Sequence, residues 1–76
     1  MRIETIISNN IKGLIKDKGM SARQIARKAG ICEKSMYDYT CANGIPNLPN
    51  ALKLAKALDT TVEEIAKGWE DATAFD

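Results

Sequence analysis

The stretch Ser21–Tyr39, SARQIARKAGICEKSMYDY, decides the fold because it encodes two short helices joined by a tight turn. Ser21 can cap the first of these helices, and Gln24 can bond back to the N–H of the cap, as in a capping box. Gly30 stands where that helix must end, in a left-handed conformation that glycine adopts without strain. Small residues beside the turn allow the helices to cross closely and steeply, which predicts a helix-turn-helix.

Three further helices are predicted by hydrophobic spacing, which makes the chain an all-α domain of five helices. In the first, isoleucine and leucine recur at every third or fourth position and form one apolar stripe. Asn47 can cap the fourth helix, and Thr61 with Glu64 can form a second capping box at the start of the fifth. The predicted helices span residues 3–18, 22–29, 32 or 33 to about 41, 48–58 and 62–67.

The same spacing predicts which side chains face the core. In the third helix, Met36 and Tyr39 are expected to point inward and to leave a polar face exposed. Gly13 lies inside the first helix, where it costs about 1 kcal/mol relative to alanine, and this favours a close packing contact there. The inner face expected for the fourth helix consists of Leu48, Leu52, Ala55 and Leu58, with Leu54 alongside.

A chain of 76 residues has room for one domain, which we place at residues 1–68, followed by a short tail at 69–76. Trp69 and Phe75 in the tail either cover the core or contact a second subunit, and the second interpretation is favoured. No apolar run reaches the length of a membrane span, and the first residues lack the apolar core of a signal peptide. We therefore expect a cytoplasmic protein.

Charge is unevenly distributed along a chain whose formal net charge is only +1. Residues 1–31 carry seven Lys or Arg against two acids, whereas residues 32–76 carry four Lys against eight acids. A basic first part indicates a surface that faces phosphate, and so favours nucleic acid as the partner. The absence of histidine and the presence of only two cysteines argue against a metal, a cofactor and an enzyme.

From Met20 to Ile65 the chain resembles the lambda-repressor-like helix-turn-helix family of the Cro/repressor or XRE type. The anchors that carry the resemblance are Met20-Ser21, Ile25-Ala26, Gly30-Ile31, Met36, Tyr39, Pro46-Asn47-Leu48, Leu52, Leu54-Ala55, Ala57-Leu58, Thr61-Val62 and Glu64-Ile65. The resemblance implies a compact five-helix domain that binds double-stranded operator DNA, usually as a homodimer, with its third helix in the major groove.

The resemblance also implies, by position, which residues face DNA. The residues implied to read bases are Glu33, Lys34, Ser35, Tyr37 and Asp38. The residues implied to contact phosphates are Ser21, Arg23, Cys32, Asn43 and Gly44, together with the N–H groups at the start of the second helix. Cys32 is either a small polar cap or contact, which is favoured, or a redox-sensitive thiol. Members of the family often have a glycine soon after the third helix; its delay to Gly44 predicts a helix about half a turn longer.

Two functions remain open from the sequence. The favoured one is a sequence-specific DNA-binding transcriptional regulator, similar to a small phage or prophage repressor, with no small-molecule ligand evident. The alternative is a protein-interaction module that kept the fold and lost DNA binding, because Glu33 and Asp38 place two acids beside Lys34 on the reading face. Binding to DNA at low salt distinguishes them, since phosphate contacts are strongest there.

Overall fold

The computed structural model describes residues 1–72, which form five α-helices and a final 3₁₀ turn. The helices are α1 Ile3–Lys18, α2 Ala22–Ala29, α3 Glu33–Thr40, α4 Leu48–Ala57 and α5 Val62–Ile65, and the 3₁₀ turn is Trp69–Asp71. The all-α, five-helix prediction is confirmed. Phe75, expected to contact a second subunit, lies outside the described residues.

Side-chain caps begin three of the helices. Ser21 and Gln24 form the predicted capping box of α2, and the Asn47 side chain accepts the N–H of Asn50 at 2.9 Å to cap α4. At α5, the described hydrogen bonds include one half of the predicted box, from the Glu64 N–H to Thr61 Oγ1 at 3.2 Å. This helix ends at Ile65 and not near Gly68, so its prediction was too long.

The core is assembled from all five helices around α1 and α2. α1 packs against α2, α3, α5 and the 3₁₀ turn, while α2 lies between α3 and α4. Four helices each supply one side chain that is almost completely buried: Ile11, Ile25, Met36 and Leu54. Met36 and Tyr39 are both buried, which confirms their predicted place in the core and leaves the rest of α3 free to face outward.

The predicted inner face of α4 is wrong in its first turns. Leu48 and Leu52 are 67 % and 55 % exposed, and the inner face begins at Ala51. The face that packs inward consists of Ala51, Leu54, Ala55, Ala57 and Leu58. Small alanines on this face let neighbouring helices approach closely, so the two leucines fall on the outer flank. The expected packing contact at Gly13 is also wrong, because a Cβ built there meets no atom within 4 Å.

Hydrogen bonds from three side chains fix the orientation of α3 and α5 on this core. The buried hydroxyl of Ser8 donates to the carbonyl of Thr40, the last residue of α3, at 2.7 Å. Asn50 Nδ2 donates to Tyr39 Oη at 2.8 Å and so joins the first turn of α4 to α3. Asn10 Nδ2 donates at 2.8 Å to each of two carbonyls at the end of α5. The position of α3 therefore depends on bonds from α1 and α4.

Candidate nucleic-acid interface

The turn between α2 and α3 sets the angle at which α3 leaves the core. Gly30 has left-handed backbone, with φ 74° and ψ 34°. Its N–H donates to the carbonyl of Arg27 at 3.3 Å, and the N–H of Ile31 donates to the carbonyl of Ala26 at 2.9 Å. These two bonds form a Schellman motif, which satisfies the last carbonyls of α2 and turns the chain sharply. Ile31 is buried beyond the turn, so the crossing of the two helices is held by packing as well.

The start of α2 presents backbone donors to solvent. The capping box uses the N–H of Ser21, which donates to Gln24 Oε1 at 2.8 Å, and the N–H of Gln24, which donates to Ser21 Oγ at 3.1 Å. The N–H groups of Ala22 and Arg23 have no partner within the helix, since they belong to its first turn. Together with the positive end of the helix dipole, they form a surface suited to one phosphate group.

The outward face of α3 carries the residues that were predicted to read bases. Glu33, Lys34 and Tyr37 are exposed, Tyr37 to 64 %, and Ser35 and Asp38 are half-buried at the edges of this face. Lys34 and Tyr37 lie one helical turn apart and are therefore neighbours. A polar surface on a helix that is anchored by two buried side chains can be inserted into a groove without disturbing the core.

Arg23 and Glu33 form an ion pair across the start of α2 and α3, with Arg23 Nε 2.5 Å from Glu33 Oε1. Both side chains are largely exposed, so the pair adds little to stability. Its effect is on the charge of the interface, because the Glu33 carboxylate is compensated before any phosphate approaches. The predicted base reader and the predicted phosphate contact therefore act on each other, and both line a shallow groove of about 170 Å³ between α2 and α3.

The pKa values of two side chains at or before α3 differ from their ordinary values. Cys32, just before the helix, lies with Sγ 3.1 Å from Ser35 Oγ, and the hydrogen bond from this hydroxyl lowers the pKa of the thiol. Farther along the helix, a side-chain hydrogen bond with Cys41 and the charge of this thiol raise the pKa of Tyr37. Both thiols are free and exposed.

The loop after α3 begins with strained backbone at a residue that is not glycine. Ala42 has φ 60°, and the N–H of Asn43 donates to the carbonyl of Asp38 at 2.9 Å, which closes α3 as Gly30 closes α2. The expected half-turn extension of α3 is therefore wrong: the helix stops at Thr40. Asn43 is exposed and Gly44 half-buried, at the end of α3 farthest from Cys32. The sequence offered no signal for Ala42, because alanine rarely adopts this conformation.

Some lysines lie on a different surface from the α3 face, among them Lys28 from the basic residues 1–31. Lys28, at the end of α2, joins Lys53 and Lys56 of α4 around a groove of about 500 Å³ that shares no residue with the groove between α2 and α3. This groove also includes Asp59, whose pKa is lowered by its bond to Lys18 and by the charge of Lys28. The candidate interface therefore depends on a few positive groups, chiefly Lys34 and Arg23, and on backbone donors.

Within residues 1–72, no group of three His, Cys, Asp or Glu side chains is arranged to hold a metal ion. None of the described helices combines the length and apolar character needed to cross a membrane.

Comparison with known proteins identifies the family. The family described as Cro/C1-type helix-turn-helix DNA-binding domain matches residues 10–68. The chain is also similar to the cryptic phage CTXphi transcriptional repressor RstR of Vibrio cholerae, with 29 % identity over 69 residues. That match covers 91 % of this chain but only 58 % of the repressor, and no solved structure matches significantly. The predicted resemblance is confirmed, and the chain belongs to the Cro/C1-type helix-turn-helix DNA-binding family.

Proposed function

We propose that this protein is a sequence-specific transcriptional regulator of the small phage-repressor type, which binds double-stranded operator DNA in the cytoplasm as a homodimer. The observation that carries the proposal is the anchoring of α3: Met36 and Tyr39 hold it to the core while Glu33, Lys34 and Tyr37 face outward. In a family of DNA-binding domains, this is the surface that enters the major groove. The similarity to a phage transcriptional repressor supports the regulatory role.

Each residue of the α3 face takes a role that suits its chemistry. Lys34 donates to O6 and N7 of guanine, Tyr37 donates its phenol to a base acceptor, and Ser35 serves as donor or acceptor at the edge of the face. Asp38 accepts from the N4 amino group of cytosine. Glu33 pairs with Arg23 at the start of α2, where its carboxylate competes with phosphate for the guanidinium.

Phosphate contacts position the face in the groove. The free N–H groups at the start of α2 and the Arg23 guanidinium bind one phosphate, beside the Ser21 hydroxyl and Cys32. Asn43 and Gly44 bind a second phosphate beyond the other end of α3. Because the two contacts flank α3, they fix its register on the DNA.

The proposal is tested by selecting bound sequences from a random DNA pool and titrating the selected site by fluorescence anisotropy. Lys34→Ala is expected to lose about 5- to 150-fold in affinity for the selected site, as for one lost base contact. Lys67→Ala is the matched control, because Lys67 is exposed after α5, a helix that does not contact α3. This control removes the same charge and should leave sequence preference unchanged.

Equal affinities of the Lys34→Ala and Lys67→Ala proteins for the selected site would contradict reading by α3. Failure of the unmodified protein to bind any DNA at about 50 mM salt, where phosphate contacts are strong, would favour the protein-interaction module instead.

A further inference from the structure

A groove of about 500 Å³ lies between the C-terminal ends of α2 and α4. We call it the basic groove, and it is lined by Lys28, Ala29, Lys53, Lys56, Ala57 and Asp59. The end of α1 reaches it as well, because Lys18 bonds to Asp59. None of these residues takes part in the DNA contacts proposed above.

The positive charge of the basic groove is largely uncompensated. The carboxylate that lines it, Asp59, is already paired with Lys18. Lys28, Lys53 and Lys56 are exposed, and none of them has an ion pair among residues 1–72. Lys28 and Lys56 lie in the last turns of their helices, where they suit the negative end of the helix dipole, but Lys53 lies one turn earlier. The dipoles therefore do not account for the whole cluster.

The lining of the basic groove suits carboxylates better than other ligands. The backbone at a helix C-terminus offers carbonyl oxygens, whereas phosphate sites use the N–H donors of a helix N-terminus. Pockets for small molecules are lined mainly by apolar and aromatic side chains, but no aromatic side chain lines this groove. Long lysine side chains hold their ammonium groups away from the backbone carbonyls and in solvent. There they can pair with the carboxylates of a partner.

The three lysines belong to two helices on the two sides of the groove. Lys53 and Lys56 are three residues apart on α4 and are therefore neighbours on one face of this helix. Lys28 belongs to α2. Ala57 is buried and Ala29 half-buried, so the floor of the groove is small and apolar. This arrangement suits a polypeptide that carries several carboxylates and lays small side chains on the alanines.

The basic groove is separate from the surface that faces DNA. Arg23, at the start of α2, and Lys28, near its end, are about 7.5 Å apart along the helix axis and about 140° apart around it. The groove between α2 and α3, which includes Arg23, shares no lining residue with the basic groove. A partner in the basic groove therefore leaves the start of α2 and the outward face of α3 accessible.

We propose that the basic groove binds an acidic segment of another protein, whose carboxylates pair with Lys28, Lys53 and Lys56 while α3 remains free to bind DNA. The pairs are exposed, so the affinity is modest and falls as salt screens the charges. Such a contact lets a second protein act on this one while it is bound to DNA.

The test is an NMR titration of the isotope-labelled protein with a synthetic acidic peptide at low salt. The probe is a peptide of about twelve residues, or three helical turns, in which pairs of glutamates alternate with pairs of alanines. Amide shifts are expected at residues 28–29, 53–57 and 59, with residues 33–38 unperturbed. The same shifts are expected when the selected DNA half-site is already bound. Larger shifts at residues 21–23 and 33–38 than in the groove, or no shifts in the groove, overturn the proposal.

A pair of charge variants separates the groove from the net charge of the protein. Lys53→Gln/Lys56→Gln is expected to weaken peptide binding about 2- to 30-fold, as for the loss of two exposed ion pairs. The matched control is Lys12→Gln/Lys67→Gln, which removes the same charge from exposed lysines outside the groove and should leave the affinity unchanged. Glutamine is a good helix former, and circular dichroism checks that both variants fold. Equal losses of affinity in the two variants overturn the proposal.

Tripolyphosphate distinguishes a site for carboxylates from a site for phosphate. Added at the same concentration of negative charge as the peptide, it is expected to shift the groove residues less. Tighter binding of tripolyphosphate than of the peptide in the basic groove overturns the assignment to an acidic protein segment. The peptide titration without DNA does not depend on the DNA-binding function, so either proposal can fail while the other stands.

Discussion

Ala42→Gly is expected to stabilise the protein, whereas Gly30→Ala is expected to destabilise it. Both positions follow a helix of the motif and both have left-handed backbone, with φ of 60° at Ala42 and 74° at Gly30. In this conformation the Cβ of an L residue lies too close to the following carbonyl oxygen, which costs about 1–2 kcal/mol relative to glycine. Gly30 suits this backbone because glycine has no Cβ, whereas Ala42 is strained by its Cβ.

The magnitude follows from two opposed contributions. Glycine relieves the strain but makes the unfolded chain more flexible, which offsets about 0.4–1 kcal/mol. The free energy of unfolding is therefore expected to rise by about 1 kcal/mol in Ala42→Gly and to fall by about 1 kcal/mol in Gly30→Ala. No clash adds to the second value, because a Cβ built at Gly30 meets no atom within 4 Å. In a domain of this size, 1 kcal/mol corresponds to about 4–8 °C in melting temperature.

Thermal unfolding followed by circular dichroism measures both shifts, and Gly13→Ala provides the control. Gly13 is exposed within α1 and a Cβ there also meets nothing within 4 Å, but its backbone is helical. The same chemical change should therefore stabilise the protein by about 1 kcal/mol. A fall in melting temperature in Ala42→Gly, or shifts of the same sign in Gly30→Ala and Gly13→Ala, would refute the assignment of strain to the helix ends.

Three further outcomes follow from individual contacts. Glu33→Gln releases Arg23 to neutralise a phosphate, so affinity for DNA should rise and the slope of log K against log salt should steepen by about 0.9; an unchanged slope in anisotropy titrations would contradict this. Asp59→Asn should lower the melting temperature at neutral pH by removing the bond to Lys18. Because that bond lowers the pKa of Asp59 from 3.8, the stabilisation by the ion pair is complete above pH 3.8 and is lost as the pH falls through the lowered pKa. The melting temperatures of the two proteins should therefore converge in acid. A difference that stays constant with pH would argue against the ion pair. Ser8→Ala should reduce the free energy of unfolding in urea by about 1–2 kcal/mol, because the carbonyl at the end of α3 loses its donor; full stability would show that this bond contributes nothing.

The parts of the fold that could be predicted from the sequence are those determined by neighbouring residues. The capping box of Ser21 and Gln24 and the turn at Gly30 each require only a few adjacent side chains, and both are present. Met36 and Tyr39 could be assigned to the core because the remaining residues of α3 are polar. These local signals are sufficient to identify the helix-turn-helix.

The remaining features depend on contacts between distant elements. The fourth helix has two apolar series with helical spacing, and only packing against the other helices selects the one that begins at Ala51 over the one that begins at Leu48. The ion pair between Arg23 and Glu33 requires the crossing angle of α2 and α3. The left-handed backbone of Ala42 results from the closing of α3 and has no glycine to indicate it.

The most direct test of the central claim, that α3 reads DNA, is an NMR map of amide shifts as a selected half-site is added to isotope-labelled protein. A single half-site keeps contacts between copies out of the map. The account predicts that the largest shifts occur at residues 33–38, with a second set at 21–23 and 43–44, and that residues 62–72 remain unperturbed. A map centred on α4 or α5, with residues 33–38 unchanged, would contradict it.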